Sequence, residues 1–279
     1  WGVGLTRFLT GQDIVVVEVD RPNRQKRRRH GKSDSTDALA AARAALSGEA
    51  TVTPKGRNGP AERIRVLMVA RRSAREQRIQ TLNQLRHLVF CAPEEIRVRF
   101  KDRPKTGLIR EAANMRPRKG SDPVTYTTYL VIRNLARRIR GLNAEMAEID
   151  RMLAPLITEI APGLFELYGV GVDTAASLLV TAGDNPDRLH SEGSWAHLCG
   201  TTPLQASSGK VTRHRLNRGG DRQANAALYR IVLTRMSSDP DTRRYVARRR
   251  DQGLNTAEIM RCLKRYAARQ TYKHLPHMI

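Results

Sequence analysis

Residues 135–156, LARRIRGLNAEMAEIDRMLAPL, decide the fold class. Leu135, Ile139, Leu142, Met146, Ile149, Leu153 and Leu156 recur at alternating steps of four and three. An apolar seam of that period marks a long helix that packs lengthwise on another. A partner lies in the same chain. Residues 60–90 read as an Arg-rich amphipathic helix with Ile64, Leu67, Met68, Ile79, Leu82, Leu85 and Val89 as its stripe. The middle of the chain is therefore expected to be a coiled-coil helical hairpin, with Pro155 ending or bending its second arm. Such a hairpin can stand alone, but long helices with basic outer faces also suit pairing between chains, and both readings stay open. Residues 91–122 carry Pro93, Pro104 and Pro117 among many charges and read as a loop or short helical insertion.

Towards the N-terminus the pattern changes. Residues 2–10 read as a short helix, and Ile14-Val15-Val16-Val17-Glu18-Val19 as a buried strand ended by Pro22. A basic loop, Arg24 to Lys32, leads to Ser33 and an Ala-rich helix that Gly48 stops after Leu46. Helix, strand, loop and helix suit an α/β layer. One strand makes no sheet, so this segment reads as the tail of a larger domain.

Towards the C-terminus, residues 159–279 read as a second, mainly helical domain. Leu167-Tyr168-Gly169-Val170-Gly171-Val172-Asp173 resembles a helix–hairpin–helix, in which glycines such as Gly169 and Gly171 let backbone N–H groups approach a phosphate. A plain tight turn explains the same residues. Helices are expected over 194–199, over 221–236, and from Asn255, where Glu258 completes a capping box. In the last helix Ile259, Leu263, Tyr266 and Leu275 should face inward, with Arg261, Lys264, Arg265 and Arg269 outside. The domains expected are 1–58, 59–158 and 159–279.

Composition points to the partner. Fifty Lys+Arg against 27 Asp+Glu leave a net charge of +23. The excess is mostly Arg, whose planar fork suits phosphate. A polyanion is implied, and nucleic acid fits best. No apolar run approaches the roughly 20 residues of a spanning helix, and no signal-peptide pattern is visible. Cytoplasmic location without membrane contact is the expectation. Cys91, Cys199 and Cys262 lack metal-ligand spacing and read as reduced thiols. Aromatic residues make up only 5% of the chain, so stacking on unpaired bases is not signalled.

Two stretches could carry chemistry. Residues 199–220, CGTTPLQASSGKVTRHRLNRGG, set a Ser-Ser-Gly beside Lys210, Arg213, His214, Arg215 and Arg218. A serine hydroxyl within dense positive charge is what attack on a phosphodiester needs. Ser208 is the candidate, Ser207 is chemically equivalent, and a non-catalytic basic loop would look the same. Asp34 and Asp37 stand three residues apart at a helix start, so their carboxylates share a face. That suits Mg²⁺, although first-turn aspartates also complement the helix dipole. Arg248 and Arg249, with Arg243, Arg244 and Arg250, form a patch suited to phosphate contact. His190, His197, His274 and His277 show no ligand spacing. Tyr229, Tyr245, Tyr266 and Tyr272 lie in helices and read as packing residues rather than nucleophiles.

The segments KSDSTDALAAARAAL, LYGVGVDTAASLLVTAGD, CGTTPLQASSGK, HRLNRGGDRQANAALYRIVL and EIMRCLKRYAARQTYKHL occur in one order along the chain. Together they resemble the DEDD-type insertion-sequence transposases. The resemblance implies a remnant of an RNase H-like (RuvC-like) domain at residues 1–58, a coiled-coil middle and a serine-bearing C-terminal domain. It implies that Asp34 and Asp37 are the last two of four metal-binding acids and that Ser208 forms a covalent link to DNA while strands of a mobile element are cut and rejoined. It also implies a structured guide RNA and a dimer or tetramer. The first Asp and the Glu of the constellation have no counterpart in this chain. The chain is therefore expected to be an N-terminally truncated fragment, inactive alone. The alternatives are a non-catalytic basic nucleic-acid-binding protein and a basic helical scaffold.

Overall fold

The computed structural model describes residues 2–19, 33–54, 57–116, 120, 122–184, 189–206 and 214–276. Within them the chain is mostly α-helical, and the only ladder is a two-stranded hairpin. Helix α1 spans Gly2–Thr10 and α2 spans Asp34–Leu46. Ser33 starts α2, its Oγ accepting from the Thr36 N–H at 3.3 Å. Gly48, at φ +72°, closes the helix end as expected. The buried strand expected at residues 14–19 is not present. A single antiparallel bridge joins Glu18 to Val52, and Val15 is 88% exposed. A β-branched run supplies one strand's preference but not the neighbour that would pair with its backbone.

The chain divides into two compact units, one of Ile64–Glu159 and one of Trp1–Arg63 with Ile160–Ile279. In the first of these, α3 (Pro60–Phe90) and α6 (Pro123–Ile160) run antiparallel. Arg71 grips Asp150 with two hydrogen bonds, Nε to Oδ1 at 2.6 Å and Nη2 to Oδ2 at 3.0 Å, and Arg138 reaches Gln77 at 3.3 Å. Short helices α4 (Glu94–Phe100) and α5 (Lys105–Ala113) connect them. Ile96, Phe100, Leu108 and Met115 share a core with Leu85, Ile132 and Ile139.

The seam is shifted from its expected register at both ends. Ala136 and Ile157 are fully buried, while Leu135 and Leu156 are half-buried. The residues buried, Ala136, Ile139, Leu142, Ile149, Leu153 and Ile157, still keep a heptad-like spacing, one residue on from the expected seam at each end. Ile79, expected in the stripe of α3, is 42% exposed. Pro155 does not end α6, which continues to Ile160. The proline sits on the exposed face, and Leu153 and Ile157 on either side are wholly buried. Their burial outweighs the lost backbone hydrogen bond.

The other unit ends in a layered helical domain. After a 3-10 turn at Pro162–Leu164 come α7 (Val172–Ala182), α8 (Glu192–Leu198), β1 (Leu204–Gln205) and β2 (His214–Arg215). Then follow α9 (Arg222–Ser238), α10 (Pro240–Asp251) and α11 (Thr256–Tyr272). Small residues let α9 act as the hub. Ala224, Ala227, Leu228 and Ile231 are fully buried, and α9 packs on α7, α10 and α11. Gly169 permits the entry to α7: its φ is +80°, and a Cβ there would lie 3.1 Å from the Ile231 carbonyl of α9. Trp195 is fully buried between α8 and α11, its Nε1 donating to Thr271 Oγ1 at 3.2 Å. The capping box of α11 is present, with Asn255 and Glu258 each accepting the other's N–H at 3.0 Å.

Candidate nucleic-acid interface

The excursion between residues 200 and 220 is pinned at its base. Gly200 and Gly220 cross with no room for a side chain, since a Cβ on Gly220 would fall 2.1 Å from the Gly200 nitrogen. The Asp221 N–H donates to the Leu198 carbonyl at 2.6 Å, and Asn225 Nδ2 donates to the carbonyls of Cys199 (2.8 Å) and Gly200 (3.2 Å). Asn225 Oδ1 in turn accepts from Lys264 Nζ at 2.9 Å. Lys264, expected on the outer face of α11, is only 6% exposed. The reason lies in the helical period: Met260, Lys264 and Ala268 are four apart and share the buried face. Burial first, and the nearby Arg261 charge second, push the Lys264 ammonium below its usual range.

Above this base the antiparallel pair Leu204–Arg215 and Gln205–His214 carries the chain outward. Beside it opens a cavity of about 770 Å³ lined by the hairpin, α10 and α11. Arg215, Arg248 and Arg249 line it, as do Arg261, Lys264, Arg265 and Arg269, against one carboxylate, Glu258. Some of that charge is internally paired. Glu192 holds Arg265 and, at 3.5 Å, Arg269, while Glu258 lies 4.0 Å from Arg261. Among the described residues Arg215, Arg248 and Arg249 form no ion pair. Arg248 and Arg249 instead lie over the Tyr245 ring, 5.4 and 5.9 Å from its centre. Burial, and then the Cys262 thiol, push the Tyr245 hydroxyl above its ordinary range. A cavity with this excess of cations attracts phosphate.

Other candidates fall elsewhere. Ser207, Ser208, Lys210 and Arg213 lie outside the described residues. Arg218 is exposed in the turn after β2. The two glycines of the expected helix–hairpin–helix have intramolecular roles: Gly169 packs on α9, and the Gly171 N–H donates to Thr174 Oγ1 at 2.9 Å. Asp173 in the next turn pairs with Arg230 at 2.5 Å. Asp34 is exposed and Asp37 half-buried in the first turn of α2. Among the described residues no three His, Cys, Asp or Glu side chains gather as a metal site would require. The Cys199 thiol is buried, which pushes its ionisation far above the usual range. Cys91 is exposed and Cys262 half-buried. No described helix is long and apolar enough to cross a membrane.

Residues 162–247, which hold the hairpin, α9 and most of α10, match the family described as Transposase IS116/IS110/IS902 family. The chain is also 30% identical over 146 residues to the insertion element IS110 uncharacterized 43.6 kDa protein of Streptomyces coelicolor, across 51% of this chain and 36% of that protein. It is 25% identical over 138 residues to the insertion element IS900 uncharacterized 42 kDa protein of Mycobacterium paratuberculosis, across 48% of this chain and 35% of that one. The chain thus spans about a third of the length of the curated relatives it matches. These matches support an insertion-sequence transposase.

The transposase match ends at residue 247, yet the cavity draws Arg248, Arg249 and seven residues of α11, from Glu258 to Arg269, from beyond it. Sequence reasoning missed Tyr245, Tyr266 and Lys264 as lining residues. The helical period places Lys264 inward, but nothing local tells that α10 and α11 turn two tyrosines toward the same space.

Proposed function

We propose that this insertion-sequence transposase cuts and rejoins DNA strands through the hydroxyl of Ser208, with the cationic cavity holding the strand's phosphates. The observation that carries the reading is that the segment matching the transposase family builds the pinned hairpin, which with Arg215 and Tyr245 forms one wall of the Arg-lined cavity. Ser208 Oγ loses its proton and bonds to phosphorus while the phosphodiester's leaving oxygen departs and is protonated to a free hydroxyl. A hydroxyl of another strand then attacks the serine–phosphate bond and returns the serine. Arginines near the reacting phosphate offset charge that builds in each transition state.

Asp34 and Asp37 are proposed to contribute to a Mg²⁺ site, because Mg²⁺ takes one or two carboxylates together with phosphate oxygens. When bound, the ion would neutralise phosphate charge. The RNase H-like character of residues 1–58, a structured guide RNA, assembly as a dimer or tetramer and cytoplasmic location belong to the same reading. Covalent trapping tests it. The chain is incubated, alone and extended at its N-terminus by a segment supplying the first Asp and the Glu that the resemblance implies, with duplexes carrying the ends of its own element. It is then denatured and digested for mass spectrometry; the extended form is the one expected to react. A nucleotide adduct on the peptide containing Ser208, absent in Ser208→Ala, is the expected result. Salt-dependent DNA binding with an adduct on another residue would remove Ser208 from the mechanism. Binding with no adduct in any condition favours a non-catalytic nucleic-acid-binding protein.

A further inference from the structure

We infer that the cavity between the hairpin and α11 receives a single nucleotide turned out of its stack, held by Tyr266 against its base and by arginines at its phosphate. The inference rests on the reading that the cavity binds nucleic acid and adds the state of the strand it takes.

The aromatic wall carries the argument. Tyr266 is 50% exposed and lines the cavity. Tyr245 stands against it edge-on, ring centres 5.9 Å apart and planes at 82°. That geometry braces the Tyr266 ring and leaves no slot between the two rings for a base. Bases within a duplex stack on one another and offer only edges to a protein. An aromatic face is useful only to a base that has left the stack.

The polar groups around the ring fit the same occupant. Arg248 and Arg249 flank Tyr245 and, with Arg215, have no carboxylate partner among the described residues. Deeper in, Asn217 is only 8% exposed, and its Nδ2 has no hydrogen-bond partner; neither has Thr202 Oγ1. A buried amide donor left unpaired is costly, and a base edge offers it an acceptor. The two tyrosines also border a second depression, whose charged lining is Glu166, Asp239 and Asp241 against Arg235. Its excess of carboxylates favours the arginine-lined cavity as the place for the phosphate. The cavity volume of about 770 Å³ lies within the roughly 300–1,000 Å³ usual for ligand pockets.

The test compares three duplexes of one sequence by fluorescence anisotropy with the full chain: fully paired, with one bulged 2-aminopurine nucleotide, and with one bulged abasic nucleotide. Each is made as DNA and as RNA, so the arms separate the two sources. The base-bearing bulge should bind about five- to a hundredfold more tightly than the abasic one, the range expected for one stacked base. Its 2-aminopurine fluorescence should be quenched on binding. Tyr266→Ala should erase both effects, whereas Tyr266→Trp, which keeps an aromatic face, should preserve them. Equal affinity for base-bearing and abasic bulges, or retention of the preference in Tyr266→Ala, overturns the inference while leaving nucleic-acid binding intact. No binding to any of the duplexes overturns both this inference and the reading beneath it.

Discussion

At the scale of single residues, Lys264 and Asn225 show how a charged side chain can belong to the architecture. Lys264 Nζ is hydrogen-bonded to Asn225 Oδ1, and Asn225 Nδ2 satisfies the two carbonyls at the base of the hairpin excursion. One side chain thus ties α11 to α9 and, through it, to the chain leaving α8. Removing either partner strands the other in the interior. Lys264→Ala and Asn225→Ala should each destabilise the chain by about 2 kcal/mol in urea unfolding, and the double variant by clearly less than the sum of the two. Additive losses would mean that the two act independently. The linkage also has a pH sign. The Lys264 pKa is lowered in the folded chain, so the unfolded chain holds the proton more firmly. Stability from this group therefore rises with pH, between the lowered folded value and the ordinary unfolded one. In Lys264→Met that part of the alkaline rise should vanish.

At the scale of elements, the sequence was most legible where a period runs long. The helices at 2–10, 34–46, 60–90 and 222–238 all form within a residue or two of their expected bounds, because caps and apolar stripes are local signals. The strand at residues 14–19 fails for the opposite reason: a strand depends on its neighbours, and its residues carry no information about them. The candidate site is legible in part. The charge of α10 and the unusual 199–220 segment stand out in the sequence. The convergence of Tyr245, Tyr266 and Lys264 depends on how α10 and α11 pack, which no single segment encodes. Pro155 is the informative exception among the helices. It sits in the interior of α6, exposed, with a wholly buried neighbour on each side at Leu153 and Ile157. Packing there holds a residue that the helix backbone disfavours. Pro155→Ala restores a backbone donor without touching the seam. It should stabilise the chain by about 1–3 kcal/mol, read as a raised unfolding midpoint. An unchanged or lowered midpoint would show that the proline fits α6 without cost.

At the scale of the whole molecule, the net charge of +23 makes some affinity for any polyanion unavoidable. What distinguishes a binding site from a generally basic surface is how the affinity responds to salt and to local substitutions. Arg248 and Arg249 line the cavity and form no ion pair among the described residues, whereas Arg244 on the same helix pairs with Asp241 on the exposed side. Both sets are equally cationic and a turn or so apart, so they make a matched comparison. If phosphates sit in the cavity, replacing Arg248 and Arg249 together by Gln should lower DNA affinity by more than tenfold at moderate salt. It should also reduce the slope of log K against log salt by up to about two, one for each phosphate that is no longer neutralised. Replacing Arg243 and Arg244 by Gln removes the same formal charge from the same helix and should change the slope much less. Identical effects from both pairs would mean that DNA responds to the overall field of the molecule, and the cavity would lose its claim to be the place where the strand is held.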